Sequence, residues 1–226
     1  MLGCDPAAAL LEPQLRRRGV RLVWTEEGSH QALAGLARGE AHVAGCHLRD
    51  DDTGAYNQSW VRRLVPFACT LVTFAVWQQG LMVAVGNPKG IRNVEDLASP
   101  GVGIVNRQPG SGSRLLLDRL LRRHGIPAAA VAGYDKQATG HLGVAEAVLT
   151  GLADAGVGIR AAASVMGLGF LPLEEERYDL VIPNHLLNEV GVQALLDSLH
   201  HPGLRRRVEM LEGYDVSYMG RPVAAA

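Results

Sequence analysis

Short runs of apolar residues alternate along this chain with longer segments in which apolar positions recur every three or four residues. The short runs predict buried strands, and the longer segments predict amphipathic helices. Strands that alternate with helices are typical of βαβ units, so the pattern predicts an α/β fold with a mostly parallel sheet. The elements predicted first are a helix that starts at Asp5, a strand at 21–25, a helix at 30–38, a strand at 41–45 and a buried strand region within 64–77.

The second part of the chain repeats this order around a glycine-rich turn at 106–113. Glycines and basic residues mark the ends of several of its helices, as they commonly do. The predicted strands are 81–85, 102–105, 155–159 and 178–183, and the predicted helices are 91–97, 114–124, 141–150, 161–166 and 204–211.

A weak internal repeat accompanies this pattern. Gly28-Ser29 stands as far before Gly39 as Gly140-His141 stands before Gly151, and a strand rich in small residues follows each closing glycine. One interpretation is two similar lobes that each present a helix N-terminus to a shared cleft. The other is a chance similarity of helix and strand signals.

Composition restricts the class of protein. Apolar residues make up 47% and charged residues 20% of the 226 residues, which is ordinary for a globular chain. Lys and Arg total 22 against 23 Asp and Glu, so no general positive field attracts nucleic acid. A bound anion must therefore be held by local groups.

The expected location is the cytoplasm, because the first residues contain neither a basic segment nor an apolar segment of a secretory signal. A mature exported protein whose signal has been removed would have a similar sequence, but the leading Met favours the cytoplasm. The longest apolar stretch, 64–77, is shorter than the roughly 20 residues that span a bilayer, so no membrane association is expected. Cys4, Cys46 and Cys69 lack CxxC spacing and are interpreted as core thiols, without a disulfide framework or a zinc site.

Four loops place small or polar residues, often beside glycine, immediately before a predicted helix. The backbone N–H groups of a helix's first turn lack partners within the helix and attract anions, and glycine allows a close approach. Four such loops at the carboxyl edge of a sheet favour an oxyanion site, whereas a single one would indicate ordinary helix capping. The loops are Gly3-Cys4-Asp5, Gly28-Ser29-His30, 109–113 and Thr139-Gly140-His141.

The loop at 106–114 is the most specific of these signals. It lacks the lysine of a Walker A motif and is not GxGxxG, which argues against an NTPase or a dinucleotide enzyme. Arg107 is the preferred cation for an anion, and Arg114 is expected to be structural.

No catalytic apparatus is visible. His30, His47 and His141 stand at element ends, but HExxH spacing is absent, so they are interpreted either as hydrogen-bond donors to an anion or as structural histidines, and not as metal ligands. Asp50-Asp51-Asp52 is interpreted as a solvated turn. GxSxG is absent as well, so the chain is predicted not to be an enzyme.

Taken together, these segments resemble the periplasmic-binding-protein-like (type II) ligand domain of cytoplasmic prokaryotic regulators and molybdenum cofactor biosynthesis proteins. The resemblance covers nearly the whole chain. The segments that carry it are 3–6, 28–29, 39–41, 45–48 with 56–57, 106–114, 141 with 144–145, 151–158, and 170–173 with 176–180.

This resemblance implies two Rossmann-like lobes joined by two crossover strands, near 80–83 and 173–182. The predicted lobes are 1–80 with 181–226, and 81–180, with the ligand cleft between them. The plan is also similar to that of molybdate-binding proteins, except that Cys4-Asp5 stands where those tend to have serine. A carboxylate there would repel a dianion unless it caps the helix. The predicted ligand-binding residues are Cys4, Asp5, Ser29, His30, His47, Arg107, Gly110, Ser111, Gly112, Ser113, His141 and Leu142.

Three functions stay open at this stage. The first is binding or sensing of a small oxyanion, with molybdate or tungstate foremost, by closure of the lobes. The second is binding of a small organic acid or pterin-like ligand, which would pack on Trp24, Tyr56 or Trp77. The third is an enzyme with His47 or His141 as its base. No cofactor is expected, and the expected partners are the small molecule and a regulatory or biosynthetic protein, without nucleic acid or membrane.

Overall fold

A computed structural model describes residues 1–223. Its strands are β1 Leu2–Gly3, β2 Thr25–Glu26, β3 Ala44–Cys46, β4 Cys69–Val83, β5 Ile104–Arg107, β6 Gln137–Ala138, β7 Ala155–Ile159, β8 Gly169–Pro183 and β9 Tyr214–Asp215. Its α-helices are α1 Glu12–Arg17, α2 Ser29–Ala37, α3 Gln58–Leu64, α4 Gly112–Arg123, α5 Gly140–Leu149, α6 Arg160–Val165, α7 Val190–Leu199 and α8 Pro202–Glu209. Short 3-10 helices occupy Pro6–Leu11, Glu95–Ala98, Ala128–Ala130 and Asn184–Leu186.

This alternation of strands and helices confirms the predicted α/β class. The chain divides into unit 1, which comprises Met1–Trp77 and the residues from Glu176 onward, and unit 2, which comprises Gln78–Glu175. The long strands β4 and β8 carry the chain from one unit to the other.

Parallel pairing organises the strands of unit 1. β1 pairs in parallel with β2 and with β3, and β3 pairs antiparallel with the end of β8. β9 adds an antiparallel pair to Val76-Trp77 of β4. The carboxyl ends of β1, β2 and β3 therefore share one edge of the sheet.

Unit 2 has a similar arrangement, in which β5 lies parallel to both β6 and β7 and β7 pairs antiparallel with the end of β4. The leucines of α4 explain its packing, because Leu116, Leu117 and Leu121 recur at helical spacing and are buried in the core of this unit. Ile104 of β5 and Val157 of β7 belong to the same core.

Several predicted bounds differ from the observed ones. The predicted strand at 21–25 contributes only Thr25–Glu26, because Leu22 donates its backbone N–H to the Glu12 carboxylate. The predicted helix at 91–97 is a 3-10 turn at Glu95–Ala98, and the Asp96 carboxylate accepts N–H groups from 92 and 93, a local bond that competes with helix formation.

The sequence pattern also missed helices α3 and α7, and it missed the first half of β8, where charged residues hide the strand pattern. No helix in residues 1–223 has the length and apolar character needed to cross a bilayer.

Candidate functional site

The carboxyl edge of the parallel strands in unit 1 brings three predicted site residues together. Cys4 follows β1, Ser29 begins the helix after β2, and His47 follows β3. All three are buried, and the backbone N–H of His47 donates to the Ser29 hydroxyl at 3.2 Å. Helix α2 begins here at Gly28-Ser29 without a side-chain cap. The first turn of α2 therefore starts at a buried position. This is unusual unless another group accepts hydrogen bonds from the N–H donors of that turn.

Asp5 lies beside these residues and is fully buried. One carboxylate oxygen, Oδ1, accepts the backbone N–H of Ala7 at 2.8 Å and the Tyr214 hydroxyl at 2.6 Å. The predicted capping role of Asp5 is thereby confirmed. The other oxygen, Oδ2, has no hydrogen-bond partner within the described chain. Burial raises the pKa of Asp5 to about 6, although the bonds from Tyr214 and Ala7 and the charge of His47 act in the opposite direction.

His47 forms a buried pair with a carboxylate that the sequence analysis did not select. Its Nδ1 lies 2.7 Å from Oε2 of Glu176, and both side chains are almost completely buried. Burial alone would lower the pKa of His47, but the neighbouring Cys4 and Glu176 raise it to about 10. The paired Glu176 carboxylate thus favours the protonated form of His47. The Cys4 sulfur is the other near neighbour of His47 and lies within 4.8 Å of one of its ring nitrogens. A thiol and an imidazole are both groups that zinc accepts as ligands.

A hydrogen-bonded group behind His47 fixes the position of this edge. Asn57 adopts a left-handed backbone (φ 68°), its Oδ1 accepts the N–H of Leu48 at 2.7 Å, and its Nδ2 donates to Asp179 at 2.7 Å. Thr73 and Arg177 also donate to Asp179, at 3.0 Å each. Leu48, the residue next to His47, is thus held by a buried network in which Asn57 and Asp179 are both hydrogen-bonded.

In unit 2, a second set of predicted residues follows strand β5. Ser111 caps helix α4, because its hydroxyl accepts the N–H of Arg114 at 3.3 Å. Ser113 donates to Oε1 of Gln79 at 3.1 Å, and both side chains are buried. The amide nitrogen Nε2 of Gln79 is buried and has no hydrogen-bond partner among residues 1–223. This donor and the start of α4 suit an acceptor-rich ligand.

The two arginines of this loop have different environments. Arg114 lies over the Tyr134 ring at 4.0 Å and donates to the carbonyls of Arg107 and Tyr134, which gives it the structural position expected of it. Arg107 is 1% exposed, and its Nε donates to Oε1 of Gln108 at 3.1 Å. A guanidinium buried to this extent contributes positive charge to its surroundings at any accessible pH.

Helix α5 supplies the fourth loop. Gly140 has φ 67°, which glycine adopts without strain, and the helix begins at buried residues without a side-chain cap. His141 is fully buried against β7, where a Cβ at Gly158 would lie 3.6 Å from its Nδ1. Leu142, by contrast, is 40% exposed.

The remaining predicted residues lie on the same loops. Gly110 has φ 81° and Gly112 is buried at the start of α4, while His30 is half-buried with its ring 6.5 Å from that of Trp60. Trp77, considered as a stacking surface, is a core side chain that packs among the rings of His47, Tyr178 and Tyr214. The prediction that 50–52 is a solvated turn is wrong for Asp50, which is buried and accepts N–H groups from within the turn.

Glu176, Gln79, Asn57 and Tyr214 are site residues that the sequence analysis missed. Two of them carry a sequence signal. Gln78-Gln79 interrupts an otherwise apolar run, and Glu176 precedes Tyr178 and Leu180 at the two-residue spacing of one strand face. Polar residues at positions with a strand's buried periodicity indicate a functional or a structural pairing.

Comparison with known proteins shows the family to which this fold belongs. A model of the PBP superfamily domain matches residues 12–200. The chain belongs to the periplasmic-binding-protein (PBP) superfamily. The protein YvgK of Bacillus subtilis, described as uncharacterized, is 34% identical over 200 residues, which cover 87% of this chain and 64% of YvgK. The chain therefore spans slightly less than two thirds of that relative's length.

Solved PBP structures are also similar in fold. A phosphate ABC transporter substrate-binding protein from Clostridium perfringens, with bound phosphate, has a TM-score of 0.66 at 13% identity and covers 92% of this chain and 95% of its own. The sulfate-binding protein SubI from Mycobacterium tuberculosis has a TM-score of 0.67 at 14% identity, with coverage of 91% and 82%. The predicted type II PBP-like fold is confirmed, and this is a ligand-binding fold.

Proposed function

We propose that this chain binds a small tetrahedral oxyanion, with molybdate and tungstate as the first candidates. The single observation that carries the proposal is that helices α2 and α5 begin at buried residues without a side-chain cap. The first four N–H groups of a helix lack partners within the helix, and the helix dipole favours negative charge at that end. Each start is a candidate anion position within its own unit, α2 in unit 1 and α5 in unit 2.

Hydroxyl and amide donors support the proposal. Ser29, Ser111 and Ser113 are buried beside helix starts, and Gln79 offers its amide nitrogen. Neutral donors of this kind hold a dianion without full neutralisation of its charge. Arg107 in unit 2 and protonated His47 in unit 1 contribute positive charge. Asp5 and Glu176 oppose it, but Glu176 is paired with His47 and Asp5 is a helix cap.

The solved relatives supply a second line of support, because one holds phosphate and another is named for sulfate. Both ligands are tetrahedral oxyanions. Molybdate and tungstate share this shape, with longer metal–oxygen bonds.

Isothermal titration calorimetry with molybdate, tungstate, sulfate and phosphate tests the proposal. We expect saturable heat with at least one ion and a loss of affinity of about 1.5–3 kcal/mol in Arg107→Gln, the range for a charged hydrogen bond. Arg123→Gln is the matched control, since it removes the same charge at the opposite, exposed end of α4. No heat with any of the four ions, or equal losses in both variants, would overturn the proposal.

A small organic acid is the second candidate. The observation that favours it is Oδ2 of Asp5, a buried acceptor with no partner in residues 1–223. An organic acid that also carries an amino or hydroxyl group could donate to this oxygen, whereas molybdate carries no proton at neutral pH. Under this alternative, Asp5→Asn weakens binding of the organic acid. Under the oxyanion proposal, the same substitution leaves molybdate affinity unchanged or raises it.

A further inference from the structure

A cavity of unit 1 lies at the sheet edge opposite the predicted ligand residues. Met1, Val23 and Val43 line it at the amino ends of the parallel strands, whereas Ser29 and His47 follow the carboxyl ends of those strands. Its volume is about 410 Å³, within the range of roughly 300–1,000 Å³ for pockets that bind small molecules. All the residues that line it belong to unit 1. The cavity is therefore a candidate site separate from the starts of α2 and α5.

The wall of this cavity is aliphatic. The buried side chains in the wall are Leu15 of α1, Val43 before β3, and Val192 and Leu195 of α7. Val23 also lines the cavity and is 62% exposed, so a bound apolar group would remove its surface from water. Among the lining residues of the described chain there is no phenylalanine, tyrosine or tryptophan on which a flat ring could stack. The wall thus favours a branched aliphatic group over an aromatic one.

Two side chains of opposite charge also line the cavity. Arg21 and Glu189 are exposed, and neither side chain forms a hydrogen bond or an ion pair within residues 1–223. The other charged groups of the lining have partners. Glu40 is paired with Arg38 at 2.7 Å, and the ammonium group of Met1 donates to a backbone carbonyl at 2.8 Å. One cation and one anion are therefore available to a ligand that carries both charges.

We propose that this cavity binds an aliphatic α-amino acid of the leucine type, with its carboxylate at Arg21, its ammonium at Glu189 and its side chain against the aliphatic wall. A guanidinium binds a carboxylate through two parallel hydrogen bonds, and an ammonium donates to a carboxylate. A fatty acid would leave Glu189 without a partner, and an aliphatic amine would leave Arg21 without one. The zwitterion satisfies both, and its binding here does not depend on oxyanion binding.

Calorimetry of the full chain with four matched compounds tests the chemical class. L-leucine is compared with 4-methylpentanoate, which lacks the ammonium, with 3-methylbutylamine, which lacks the carboxylate, and with glycine, which lacks the side chain. We expect saturable binding of L-leucine and at least about tenfold weaker binding of each other compound, because each loses a charged hydrogen bond or the burial of an isobutyl group. No saturable binding of L-leucine, or equal affinity for 4-methylpentanoate, would overturn the proposal.

Two charge variants test the assigned contacts. Arg21→Gln and Glu189→Gln should each weaken L-leucine binding at least about tenfold, since each removes one charged partner of the zwitterion. Both side chains are exposed, so neither substitution disturbs the core. Arg92→Gln and Glu209→Gln are the matched controls, because they remove the same charges at exposed positions outside the cavity. Losses of equal size in the controls, or no loss in Arg21→Gln and Glu189→Gln, would overturn the proposal.

Amide NMR of the ¹⁵N-labelled chain locates the bound amino acid. We expect L-leucine to shift the backbone amides of Val23, Val43 and Val192, which line the cavity, and to leave those of Ser29 and His30 unchanged. The reverse pattern would place the amino acid at the carboxyl edge of the strands and would overturn the proposal. Because an oxyanion is expected to shift Ser29 and His30, the two proposals give separate signals and fail separately.

Discussion

The buried carboxylate of Asp5 gives a prediction of unusual sign, in which removal of a charge stabilises the protein. Burial raises the pKa of Asp5 from 3.8 to about 6, so the folded chain binds a proton more tightly than the unfolded chain does. At about 1.4 kcal/mol for each pH unit between these two pKa values, the raised pKa costs about 3 kcal/mol of folding free energy above pH 6. Between pH 3.8 and about 6, the contribution of Asp5 to stability therefore falls as pH rises.

Asp5→Asn removes this cost and keeps the helix cap. The amide oxygen can still accept from Ala7 and Tyr214, as Oδ1 does now. The new NH₂ group takes the place of Oδ2, and a buried amide without a partner costs about 1 kcal/mol or slightly more. The net expectation at pH 7 is a variant about 1–2 kcal/mol more stable than the parent chain.

Urea unfolding of both chains at intervals from pH 4 to pH 8 measures this difference. We expect the advantage of Asp5→Asn to grow between pH 4 and pH 6 and to stay constant above it. Other carboxylates affect both chains equally, so the difference isolates Asp5. A variant that is less stable than the parent at pH 7, or a difference that does not change with pH, would refute the reasoning.

Three further predictions concern His47, the polar network behind it and the cap of α4. The raised pKa of His47 gives stability that is complete below pH 6.5 and lost as pH rises toward about 10, so His47→Gln should flatten the decline of unfolding free energy measured between pH 7 and pH 10. Asn57→Asp places a second carboxylate against Asp179 in place of a donor, and chemical denaturation should show a loss of about 3–5 kcal/mol. Ser111→Ala removes the cap of α4, and thermal unfolding should show a loss of about 1 kcal/mol. Ser99→Ala should show almost none, because at this exposed C-cap position the backbone N–H, and not the side chain, makes the capping bond.

Local signals explain why much of the fold was predictable. Asp5-Pro6 marks a helix start through a side chain and a ring that act within two residues, and β7 matches its predicted bounds because its run of small and apolar residues is uninterrupted. The start of α4 was off by two residues, since Ser111 and not a later residue supplies the cap.

The partners of the site residues were not predictable in this way. Glu176 meets His47 across 129 residues of sequence, and Tyr214 meets Asp5 across 209. Such contacts arise from strand order and packing, which a local pattern does not encode. The loops that carry hydroxyls and glycines could be recognised, but the pairing that sets the charge of His47 and Asp5 required the structure.

The central claim is that the first turns of helices α2 and α5 bind an oxyanion, and amide NMR tests it most directly. In a titration of the ¹⁵N-labelled chain with molybdate, we expect saturable shifts of the backbone amides at the starts of α2 and α5, namely Ser29, His30, His141 and Leu142. Unchanged amides at both helix starts at molybdate concentrations that saturate binding elsewhere would contradict the claim.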